Sequence, residues 1–292
     1  MVVADNHADL STLYNAAGSK LGLEVTLAGG PTRIVFNGGS GFPVGTANAG
    51  ARFIFSTEAG TIAGWAPSAG NIAQVKVDSS GAGAVYKGLA IATTETGSQL
   101  YATDFANARV DVFNNTWAPV TTDSGFVDRK IPHGYAPFGI QAIGDRIFVT
   151  YAKQGPSGDE LHGKGLGFVD AYDTASHLLV RVARHGHLDA PWGLAMAPEN
   201  FGRFGGDLLV GNFGDGRINA YEEQPNGHFV FRGTLRDSEE KPIVIDGLWA
   251  LEFGNRAPNN GPTDTLFFTA GPNGEQDGLF GTIRSVEADE SD

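Results

Sequence analysis

Apolar residues in this chain fall in short runs that alternate with polar ones, and no stretch carries the periodicity of a long helix. In FIFSTEAGTIAGW (53–65) an apolar run ends in a small or acidic pair, passes a turn and resumes as a second alternating run. The same frame recurs without gaps in VVADNHADLSTLY (2–14), YATDFANARVDVF (101–113) and LVGNFGDGRINAY (209–221). With longer turns it recurs in FVTYAKQ…GLGFVDAY (148–172) and FFTAGPNGEQDGLFGTI (267–283), which makes six copies. A short apolar strand precedes the copies in PTRIVF (31–36), YKGLAI (86–91), PFGIQAI (137–143), PWGLAMA (191–197) and LWALEF (248–253). A more polar strand is expected to follow each unit, as in LEVTLAGG, AQVKVDSS, LLVRVARHG and FVFRGTLRD.

Four strands repeating at a period of about 50 residues predict an all-β fold, a six-bladed β-propeller, rather than a two-sheet sandwich. The first unit begins at VVADN, so the first blade is expected to lack its innermost strand; the last is expected to lack its outermost strand after GTIRSVE. Such a seam would expose strand edges. The repeats place one domain over 1–287, followed by an acidic tail at 288–292.

Composition agrees with many short strands and turns: Gly 42, Pro 14, 41% hydrophobic and only 18% charged residues. A net charge of −13 with 20 Lys and Arg argues against a phosphate-tracking surface, hence against nucleic acid. The absence of Cys removes disulfides, thiolate metal sites and a cysteine nucleophile. No apolar run approaches the roughly 18 residues of a membrane span, and MVVADNHADL does not read as a signal peptide. The sequon NNT (114–116) has meaning only in a eukaryotic secretory route.

Strand parity puts the loop into each innermost strand and the turn between the second and third strands on one face, at the mouth of the channel. Asp189 of DAPWGL and Asp246 of DGLWAL share a repeat position there, Tyr135 matches them in YAPFGI, and Lys87 precedes the strand of YKGLAI. The turns add Asp5, Glu58, Asp104, Asn212 and Asp215, with Asn273, Glu275 and Asp277 of GPNGEQDGLFG; His133 and His185 lie in the same loops. Asp189 and Asp246 either bind a divalent cation, calcium or manganese, or cap the backbone amides of their turns. Asp104, Asn212 and Asp215 suit plain turn chemistry, and Lys87 suits an ion pair among the acids. His133, His162, His185 and His187 lack the paired spacing of a zinc site, although His185 and His187 of HGH would project to one side of a strand. Trp192, Trp249 and Phe138 share a position that suits packing between blades or an aromatic collar for a ligand. The insertion AKQGPSGDELHGKGLG (152–167) falls on the same face, as a lid or a surface loop; longer loops at 37–51, 198–206 and 254–264 fall on the opposite one.

The segments PWGLAMAPENFGRFGGDLLVGNFGDGRINAY, IVIDGLWALEFGN, GAVYKGLAIA and TLFFTAGPNGEQDGLFG resemble an NHL-like family of six-bladed propellers known as conserved hypothetical proteins. The resemblance covers almost the whole chain and implies a propeller. Some bacterial members are secreted with PEP-CTERM-type sorting tails, which implies an extracellular or cell-envelope location, and members continue upstream through an NPWGLA-like strand that this chain lacks. The family brings no established activity. Three functions compete. The first is a binding or scaffold module recognising a protein, glycan or small molecule at the channel mouth. The second is a metal-dependent hydrolase or lactonase of the gluconolactonase type, which DGLW resembles, although the GEGP-like glutamate segment of those enzymes is missing. The third is a lyase or cyclase using the mouth as a pocket.

Overall fold

The computed structural model describes residues 1–46 and 48–285; the acidic tail lies outside them. Successive antiparallel sheets follow one another along the chain. The first holds β1 (Val2–Asp5), β2 (Leu10–Tyr14) and β3 (Lys20–Thr26). The second opens with β4 (Pro31–Phe36); a separate small hairpin, β5 (Pro43–Val44) and β6 (Ala49–Gly50), precedes β7 (Phe53–Thr57), β8 (Thr61–Trp65) and β9 (Gln74–Asp78). The third comprises β10 (Tyr86–Thr94), β11 (Gly97–Asp104) and β12 (Arg109–Asn114). The fourth comprises β13 (Tyr135–Ile143), β14 (Arg146–Gln154), β15 (Glu160–Leu161), β16 (Phe168–Asp173) and β17 (Leu178–Arg184). The fifth runs β18 (Pro191–Met196), β19 (Leu208–Asn212), β20 (Ile218–Glu223) and β21 (Phe229–Thr234), and the sixth β22 (Leu248–Phe253), β23 (Thr265–Ala270) and β24 (Leu279–Arg284).

The inner strands pack on one another in turn, β4 on β10, β10 on β13, β13 on β18 and β18 on β22, and β1 packs on β4. Burial explains the order, because inner strands are nearly continuous in buried residues (Ala136 to Ile140, Pro191 to Ala195) while outer ones such as β9 and β21 bury at most one side. Apolar side chains therefore fill the spaces between neighbouring sheets, as Tyr86, Leu89, Leu100 and Ile54 do between the second and third. The architecture is all-β and propeller-like.

Close backbone approach locks the inner strands together. Thr103 Oγ1 accepts the Gly88 N–H at 2.7 Å and donates to the Phe138 carbonyl of the next sheet at 2.6 Å; Thr150 Oγ1 likewise accepts the Gly139 N–H at 2.7 Å. A Cβ on Gly139 would stand 2.0 Å from the Trp192 carbonyl oxygen, so only glycine allows this separation.

The expected polar strand after every unit is absent from the third sheet, where residues 115–134 form a loop. That segment carries Pro119 and Pro132 and no alternating run. It is anchored instead by Trp117 against Phe42 and by Phe126 against Tyr101 and Tyr172, all buried.

Candidate ligand site at the mouth

Each inner strand begins with a register shift, at Pro31/Arg33, Tyr86/Gly88, Pro137/Ile140, Pro191/Gly193 and Leu248/Leu251. Aligning those bulges puts Thr32, Lys87, Phe138, Trp192 and Trp249 at one repeat position. Phe138 and Trp192 have ring centroids 4.5 Å apart, and Trp192 stacks on Trp249 at 4.8 Å, with Phe105 and Phe213 packed alongside. The aromatic position of the sequence thus becomes a continuous buried stack. Lys87 belongs to this set rather than preceding its strand, because the bulge shifts the β10 register by one residue.

A cation therefore stands where the following sheets carry rings, and acids gather round it. Lys87 Nζ lies 2.5 Å from Glu58 Oε1, and the side chain is only 8% exposed. Glu160 and Glu275 also act on it; burial opposes its charge, but the three glutamates outweigh burial and hold its pKa above the ordinary lysine value. Glu275 comes from the opening turn of GPNGEQDG and accepts the Trp249 Nε1–H at 2.8 Å. Burial raises its pKa despite Lys87 and that hydrogen bond. Asn273 in the same turn is left-handed, donates its N–H to Asp246 Oδ2 at 3.0 Å and its side-chain amide to Asp277.

Glu160 arrives by a different route. The insertion folds back so that β15 pairs with Lys153 and Gln154 of β14, which carries Glu160 into the mouth with its side chain 9% exposed. Its Oε2 is buried without a hydrogen-bond partner among the described residues. His162 Nε2 lies 3.7 Å from Glu160 Oε1, and its ring stands edge-on to Phe213. Burial would raise the Glu160 pKa, yet His162 and Lys87 bring it below the ordinary value; Glu160 in turn raises that of His162.

The structure sorts the residues expected at this face. Lys87, Trp192, Trp249 and Glu275 meet at the mouth. Asp189 Oδ1 accepts the Gly163 N–H at 2.7 Å and so ties down the insertion, while burial raises its pKa. Asp104 is fully buried and accepts the N–H groups of Val85 and Asn107, which caps the turn into β10. Asn212 donates to the His187 carbonyl and to Asp215. Tyr135 packs against Phe168 under Lys153, and His133 is exposed in the loop ahead of β13. The two rings of HGH diverge, His185 onto Phe168 and His187 flat on Phe231. Among the described residues, no group of three His, Cys, Asp or Glu is placed to hold a metal ion.

Sequence reasoning passed over Glu160, whose signal was the alternation Glu160-Leu161-His162 inside a polar insertion. It also passed over a polar bridge deeper between the inner strands, where Arg33 donates to Gln141 Oε1 at 2.5 Å and Gln141 reaches Glu252 at 3.4 Å. Burial lowers the pKa of Arg33 and raises that of Glu252.

The chain is 31% identical over 298 residues to the uncharacterised protein R648 of Acanthamoeba polyphaga mimivirus, covering 96% of this chain and 71% of that protein. It is 30% identical over 298 residues to the uncharacterised protein L690 of the same virus, covering 96% and 76%. No protein-family model matches. Among solved structures, it is similar to a putative gluconolactonase, with TM-score 0.52 and 17% identity over 96% of this chain and 86% of that one. It is likewise similar to BBS1N in complex with ARL6DN, with TM-score 0.52 and 14% identity over 98% and 74%. At these identities the solved structures speak to the fold alone. No helix among the described residues is long and apolar enough to cross a membrane. The chain belongs to the family of the mimivirus proteins R648 and L690, and its fold is all-β and propeller-like.

Proposed function

We propose that this chain is a six-bladed propeller whose first blade lacks its innermost strand, and that it works as a recognition module binding a ligand at the mouth. The carrying observation is the buried Oε2 of Glu160, without a partner among the described residues, in the cluster that Glu160 forms with Lys87, Glu58 and Glu275. A buried acceptor without a partner costs about 1–3 kcal/mol, a cost that a ligand donating a hydrogen bond would remove. Hydroxyl-bearing ligands, glycans among them, have that donor. Thermal unfolding of the wild type and of Glu160→Gln against a panel of oligosaccharides tests the reading. A saccharide that raises the wild-type Tm and fails on Glu160→Gln supports it; no shift with any member overturns it.

A metal-dependent hydrolase would need Asp189 and Asp246 as ligands, and each of these carboxylates accepts a backbone N–H from another loop, that of Gly163 and that of Asn273. A Tm rise with calcium or manganese that Asp189→Ala and Asp246→Ala both abolish would replace the recognition reading by the hydrolase one.

A further inference from the structure

Three glutamates reach the mouth from separate sheets: Glu58 from the turn between β7 and β8, Glu160 from β15, and Glu275 from the turn between β23 and β24. They share one lysine. Lys87 is spent on Glu58, at 2.5 Å, and no Lys or Arg among the described residues lies within ion-pair distance of Glu160 or Glu275. The nearest group that can become a cation is His162, whose Nε2 stands 3.7 Å from Glu160 Oε1. Residues 47 and 286–292, outside the described part, include no Lys, Arg or His that could supply the missing charge.

Each of these two carboxylates also keeps one oxygen without a donor among the described residues. Glu275 accepts the Trp249 N–H on Oε1 and no hydrogen bond on Oε2, while Glu160 Oε2 is buried and unpartnered on a side chain only 9% exposed. The acids also repel one another: beyond burial, Glu160 and Glu58 raise the Glu275 pKa as like charges do, with Lys87 and the Trp249 hydrogen bond opposing them.

We infer that the mouth selects an amino sugar, whose ammonium group donates to Glu160 and to Glu275 and supplies the positive charge that the described residues leave out. This deepens the recognition reading above and rests on it. A neutral hydroxyl satisfies Glu160 Oε2 but has one proton to give and no charge, whereas an ammonium has three donors and relieves the repulsion between two carboxylates. A divalent cation is the poorer occupant, because no group of three His, Cys, Asp or Glu among the described residues is placed to hold one.

The test is calorimetric titration of the full chain, at pH 6.5, with the glucosamine tetramer of chitosan and with two neutral tetramers of the same linkage, cellotetraose and tetra-N-acetylglucosamine. The amine tetramer is expected to bind at least about ten-fold more tightly than either neutral one, and its affinity alone should fall as sodium chloride is raised. Glu275→Gln keeps an oxygen for the Trp249 N–H, so it should lose about ten-fold for the amine and leave the neutral tetramers unchanged; Glu160→Gln should weaken all three and abolish the preference. A neutral tetramer that binds wild type as tightly as the amine does, or an amine affinity unchanged in Glu275→Gln, would overturn the inference and leave recognition at the mouth standing. If Glu275→Gln is poorly folded, Glu160→Gln takes its place: an amine preference that survives there is general attraction to a chain of charge −13 and overturns the inference. Failure of all three tetramers to bind at millimolar concentration would overturn both.

Discussion

Replacing Lys87 by methionine keeps the length of the side chain and removes its charge from the ring of Glu58, Glu160 and Glu275. Breaking a buried ion pair on one side costs about 3–5 kcal/mol, since the remaining charge is left uncompensated. Here Lys87 is 8% exposed but Glu58 is 37% exposed, so solvent screens part of the loss and about 2 kcal/mol is the better figure. In a chain of this size each kcal/mol moves Tm by roughly 2–4 °C, which gives a fall of about 4–8 °C near neutral pH. The pH dependence makes the prediction specific. Lys87, with its pKa raised, stays charged until strongly alkaline pH and adds no slope below it. Glu160, with its pKa lowered, adds stability that is present above its ordinary value of 4.5 and is lost as pH falls through the lowered one. Without Lys87 one of the groups that lower the Glu160 pKa is gone, so the variant loses stability relative to the wild type as Glu160 ionises. The Tm gap between Lys87→Met and wild type, read by scanning calorimetry from pH 4.5 to 8, should therefore widen with pH. A gap of constant size across that range would refute the electrostatic account and leave only lost packing.

Two further perturbations probe the scaffold and the insertion. The Gly139→Ala variant forces a methyl into the Trp192 carbonyl and should lose about 3 kcal/mol or fail to fold, while Gly22→Ala, whose Cβ meets nothing within 4 Å, should be neutral or slightly stabilising in the same calorimetric comparison. His162 has its pKa raised above 6.5 mainly by Glu160, so its contribution to docking the insertion is complete below 6.5 and is lost as pH rises through the raised value. Limited proteolysis within 155–164 should accelerate between pH 6 and pH 9 in the wild type and show no such step in His162→Gln.

The sequence pattern made the strand pairs legible because each pair is local: a turn such as DFANAR or NFGDGR brackets two alternating runs and needs no distant information. The aromatic stack was legible for the same reason, since Phe138, Trp192 and Trp249 occupy one repeat position. Lys87 was misplaced by one residue because a bulge leaves no mark in an alternating pattern. Glu160 stayed hidden in a polar insertion, because its place depends on β15 pairing back onto β14, a contact that no periodicity encodes. The loop at 115–134 shows the opposite failure, where an expected outer strand gave way to two buried aromatic anchors. For Asp189 and Asp246 the sequence offered a cap on the entry turn or a cation ligand, and it held no sign that each would accept an N–H from a distant loop, that of Gly163 and that of Asn273.

The close approach of Gly139 to the Trp192 carbonyl recurs in kind: a Cβ on Gly88 would stand 2.8 Å from the Phe138 carbonyl oxygen, and one on Gly193 2.8 Å from that of Trp249. At these three points the neighbouring sheets approach so closely that the inner-strand glycine has no room for a side chain. The residue one place before each glycine then becomes an interchangeable fitting on a fixed frame: Lys87, Phe138 and Trp192 occupy that place in consecutive sheets. A chain that keeps the glycines can exchange the residue at that place without changing the spacing of its sheets.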